Sequence, residues 1–167
     1  GTSLSVPVNG EVSLEVEARY FDDASRPVGS GPLPPRANVT TTYRMTWRIK
    51  GSQHGLRDVS VRAELPVGVS VERISGTTET GSWNVPNDGL PEWRIDNLAP
   101  SLEPTTSFII ALKPENEDIG KVLALSARII LSATDSVTGG NVQAVGNVVT
   151  TNLETDSTAR GQGVVEK

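Results

Sequence analysis

The sequence predicts an all-β chain, a two-sheet antiparallel sandwich of about seven to nine strands. Three observations carry that expectation. Apolar residues alternate with polar ones over many short runs. Turn-formers are frequent, Gly at 16 and Pro at 11 of 167 residues, and they fall between those runs. Helical spacing is almost absent. At 36% hydrophobic and only 4% aromatic, the chain can build one core mainly from Val, Leu, Ile and Ala.

Residues 1–10 read as an N-terminal strand or linker. Leu4, Val6 and Val8 alternate before the turn signal Asn9-Gly10. A three-residue loop would pair Val8 with Val12 and Val6 with Leu14, with Pro7 on an edge. The alternative is strand donation, in which Leu4–Val8 completes the sheet of an identical subunit. The sandwich itself is expected over residues 11–152. Its first run is Leu14–Tyr20, and Asp22–Pro35 follows as a Pro/Gly-rich crossing between sheets.

In Tyr43–Lys50, Tyr43, Met45, Trp47 and Ile49 share one face, and Arg44, Thr46, Arg48 and Lys50 the other. Val59–Leu65 alternates likewise. Joined as a hairpin with Ile49 opposite Val59, the two runs would bury Trp47 beside Val61. They would also set Lys50 against Asp58 and Arg44 against Glu64. The basic face then reads as a solvated surface half-neutralised by its neighbour. At Leu65-Pro66-Val67-Gly68, Pro66 removes a donor and Gly68 permits a positive φ, which describes a corner between sheets. Val67–Ile74 forms the next run, and Ser75–Gly89 is a polar stretch around Trp83. Trp93 alternates with Ile95 and points inward. Thr106–Leu112 follows. Lys121–Ala133 fits either a helix or an alternating strand. Its neighbours, Pro114 and Gly120 before and Thr138-Gly139-Gly140-Asn141 after, decide for the strand. Val142–Thr150 is the last run, and residues 153–167 read as a loose polar tail.

Net charge is −5, so the basic surplus that phosphate binding needs is missing and nucleic acid is not an expected partner. Cysteine is absent, which removes disulfides and thiolate metal sites. No run has the length of a membrane span, and no signal peptide is read. A mature or excised secreted domain would look the same.

From about Pro34 to Thr150 the chain resembles the bacterial surface-repeat domains called DUF11, an immunoglobulin-like family. The carriers are TTYRMTWRIKG, the corner Leu65-Pro66-Val67-Gly68-Val69, the tryptophan strand Trp93-Arg94-Ile95-Asp96-Asn97-Leu98 and the turn Asp135–Gly140. The resemblance implies an immunoglobulin-like sandwich. It also implies a non-enzymatic structural or adhesive module of a bacterial extracellular or cell-surface protein. Neighbouring repeat domains, identical subunits or surface glycans and proteins would be its partners. No catalytic residue is implied.

Site chemistry is sparse. His54, the only histidine, sits in the loop Gly51–Gly55 beside Ser52, and the spacing supplies no carboxylate to orient it for triad chemistry. Calcium is the one cofactor considered, with Asp22, Asp23, Glu115, Glu117 and Asp118 as loop carboxylates. Trp83 is read as the surface ring for a carbohydrate-binding alternative. Asn38-Val39-Thr40 is a glycosylation sequon in form only. Lys50 and Lys113 lie at strand ends, so neither is expected in a buried isopeptide link.

Overall fold

The computed structural model describes residues 11–74, 80–84 and 90–167. Among them lie nine strands: β1 (Ser13–Arg19), β2 (Thr41–Lys50), β3 (Leu56–Ala63), β4 (Val69–Arg73), β5 (Ser82–Asn84), β6 (Glu92–Leu98), β7 (Thr105–Leu112), β8 (Ile129–Asp135) and β9 (Asn141–Val145). They form two antiparallel sheets, one ordered β1-β2-β7-β4 and the other β5-β6-β3-β8-β9. This is the predicted immunoglobulin-like sandwich. The pairings of Val6 and Val8, and the donated-strand reading of Leu4–Val8, concern residues outside those described.

Period-2 alternation is what builds both layers. Along β2, Tyr43, Met45, Trp47 and Ile49 are each 1% exposed or less. Val59, Val61 and Ala63 of β3 and Ile129 and Leu131 of β8 close the opposite face. The aromatic centre is an edge-on pair, Trp47 and Phe108, with ring centroids 4.9 Å apart.

The β2–β3 hairpin does not form. β2 lies between β1 and β7, while β3 lies between β6 and β8 in the other sheet. Trp47 and Val61 thus lie on opposite walls of one core, not side by side in one sheet. Alternation could not separate the two arrangements, because burying both inner faces satisfies the hydrophobic pattern either way. The acids that flank the basic face come instead from β1. Glu15 stands opposite Arg48 and Glu17 opposite Thr46, and the Lys50 ammonium reaches the Glu15 carboxylate at 2.9 Å.

Asp22–Pro35 is not a crossing between sheets either. It leaves β1 and returns to β2 in the same sheet, pinned by bridges Phe21–Pro27 and Ser30–Thr42. The predicted corner does carry the chain from β3 to β4 and so from one sheet to the other. Gly68 has φ +85° there, and its carbonyl accepts the Lys113 amide at 3.0 Å.

Two further expectations change together. Lys121–Ala133 is strand only from Ile129; before it, Val122 bridges Val164 of the supposed loose tail and Ala124 bridges Thr150. The tail is part of the fold, with Leu153, Asp156, Ala159 and Val165 each 2% exposed or less.

Candidate functional site: a side-chain clamp on the first strand

β1 is an edge strand, and only one of its edges is occupied by β2. Free edges invite pairing with other chains. Here the outer edge of β1 is met by side chains from beyond β9. Asn147 acts as a one-residue strand: its Oδ1 accepts the Val16 amide at 2.9 Å and its Nδ2 donates to the Val16 carbonyl at 2.8 Å. Gly146 lets this segment come close, since a Cβ there would lie 2.7 Å from Val16 Cγ2.

One turn further on, Asp156 holds the end of β1. Its Oδ2 accepts the Tyr20 and Phe21 amides at 2.9 and 2.8 Å, and its Oδ1 accepts those of Thr158 and Ala159, both at 3.0 Å. The residue is 1% exposed. Burial alone would raise its pKa, but the four amides outweigh it and hold the carboxylate below its ordinary value. The clamp fastens β1 without a continuous ladder of backbone bonds.

The clamp also sets a direction. Ser13 pairs with Lys50 at one pole of the sandwich. At the other, Thr41 pairs with Leu112, and Glu166 bridges Arg36 a few residues before it. Ten residues of β2 separate the poles by about 33 Å. Chain entering at residue 11 and chain leaving at residue 167 therefore do so at opposite ends.

Trp83 is not a surface platform. It pairs with Trp93 in register and turns inward, half-buried, with its ring tilted against Trp47 at 5.4 Å and edge-on to Phe108 at 5.3 Å. Its indole N–H donates to Thr106 Oγ1 at 3.1 Å. A Trp flanked by Ser82 and Asn84 reads as exposed, and only the partner sheet shows otherwise. Nearby, the Tyr43 hydroxyl and Trp47 indole N–H are buried without a hydrogen-bond partner, and burial raises the Tyr43 phenol pKa.

The loop carboxylates lie in turns. Asp22 accepts the amides of Ala24 and Arg26 and the Arg26 guanidinium, while Asp23 pairs with Arg19 at 2.5 Å. Asp118 accepts the Glu115 amide at 2.8 Å in a capping box around the 3-10 turn Asn116–Asp118, with Glu117 in its first turn. Among the described residues no three His, Cys, Asp or Glu side chains gather as a metal-binding group.

His54 does have an orienting carboxylate. Its Nδ1 lies 2.7 Å from Oδ2 of fully buried Asp135, whose other oxygen accepts the amides of Val137 and Thr138. Sequence reasoning missed this pair because 81 residues separate its members. The neighbouring Ser52 hydroxyl donates to the His54 carbonyl, and the residue is 2% exposed. The arrangement ties the β2–β3 loop to the β8–β9 turn.

No family model matches the chain, and no curated protein matches its sequence. Its fold is similar to solved structures. The full-length major pilin SpaD from Corynebacterium diphtheriae superposes with TM-score 0.52 and 13% identity, over 83% of this chain and 34% of the pilin. Salmonella alpha-2-macroglobulin superposes with TM-score 0.51 and 11% identity, over 99% of this chain and 10% of that one. The chain therefore spans about a third or less of the length of these proteins, and the likeness is one of fold.

Proposed function

We propose that this chain is a non-enzymatic structural module of a bacterial surface protein, and that it carries tension between its two poles. The observation behind the reading is the clamp on β1. Pulling at residue 11 draws β1 along its own axis, so its bonds to β2, Asn147 and Asp156 are loaded together in shear. A hairpin peeled from its end would instead lose bonds one at a time. The fold likeness to a pilin supports a surface role, as does the order of Leu65–Val69 and Trp93–Leu98 that resembles DUF11 repeats. Neighbouring repeats or identical subunits are the partners this reading implies.

Single-molecule force spectroscopy on the chain held at its two ends tests this. The wild type is expected to unfold in one high-force event, and Asn147→Ala to lower that force. Rupture at low force in several steps, unchanged by Asn147→Ala, would refute load-bearing.

A further inference from the structure

The outer faces of the two sheets differ. On the β1-β2-β7-β4 face several polar side chains pair with one another: Thr46 with Ser107 at 2.9 Å, Arg48 with Thr105, Lys50 with Glu15 and Glu17 with Arg19. On the other face, register aligns Ser60 of β3 with Ser132 of β8 and Gln143 of β9. With adjacent strands about 4.8 Å apart, this row spans about 10 Å. The short serines leave a depression of about 350 Å³, bounded by the longer Arg62, Glu64 and Arg128. Most of its surface is apolar, from Ile130, Leu90, Ala63 and the carbon atoms of the longer side chains. Among the described residues, the side chains of Ser60, Ser132, Gln143, Glu64 and Arg128 make no hydrogen bond or ion pair within the chain.

We infer that this depression is a binding site for a neutral, hydroxyl-rich ligand, a saccharide unit. The volume lies in the range of small-ligand sites. Its polar groups alternate in character: Arg128 only donates, Glu64 only accepts, and the serine hydroxyls and the Gln143 amide do both. A ligand whose every hydroxyl both donates and accepts matches that set, whereas an anion would leave Glu64 opposed. Charge argues the same way: Arg62 is held by Glu92 at 3.2 Å, and Arg128 and Glu64 bring one charge of each sign to the lining. Aliphatic Ile130 suits the C–H face of a sugar ring. The site is separate from the clamp and stands independently of the tension-bearing reading.

Amide chemical-shift titration of the full chain with neutral tetrasaccharides of glucose, N-acetylglucosamine, xylose, mannose and galactose tests the assignment, with tetragalacturonate as the acidic comparison. At least one neutral sugar is expected to shift the amides of Ser60, Ile130, Ser132 and Gln143. Gln143→Ala and Arg128→Gln should each weaken that binding by about ten-fold. Both positions are exposed, and thermal melts establish that the variants are folded. No shifts with any sugar, shifts confined to other surfaces, tighter binding of tetragalacturonate, or affinity unchanged in both variants would each overturn it.

Discussion

Asp156 shows how one side chain can decide a boundary. It accepts four backbone amides in a buried position, so removing the charge leaves those donors poorly matched. Asp156→Ala is expected to cost about 3–5 kcal/mol by urea denaturation at neutral pH. The pH dependence has a definite sign. A carboxylate with a depressed folded pKa contributes stability above its unfolded value, about 3.9, and loses it as pH falls through the folded one. Wild-type stability should therefore drop below about pH 4, and Asp156→Asn should shrink that drop. An equal acid loss in both proteins would contradict the assignment. Trp83 gives a second residue-scale test. Half-buried against Trp47 and Phe108, it should cost about 1–3 kcal/mol on truncation to alanine, where a surface ring would cost under about 0.5. Equilibrium unfolding of Trp83→Ala distinguishes the two.

At the level of strands, alternation was enough to find β1, β2, β3, β4 and β7 to within a few residues, because each hides every second side chain. Pairing was not legible. Two amphipathic strands joined by a short loop satisfy the same pattern as a hairpin or as opposite walls of a core, and only tertiary packing chooses. The charges carry a test of that choice. Glu15 and Lys50 should couple by about 0.2–1 kcal/mol in a double-mutant cycle, whereas Asp58 and Lys50 should show no coupling. β5 escaped notice because three residues are too few to show a period. The 153–167 segment was misread for another reason. Its small polar composition matches a linker, yet Leu153, Ala159 and Val165 fill gaps that only the assembled sheets define. The clamp was invisible for the same cause: nothing local to Asn147 announces Val16 as its partner.

For the molecule as a whole, the sandwich joins the beginning of the described chain to its end. Asn147 reaches back 131 residues to Val16, and Asp156 reaches back 136 to Tyr20. As a nascent polypeptide leaves the ribosome, β1 emerges early and must wait with its outer margin bare. That margin is sealed only after β2 to β9 have been synthesised. A product interrupted before residue 147 would carry an unsealed, sticky flank and betray itself to proteases. Closure of the edge thus waits for the synthesis of residues 147–156.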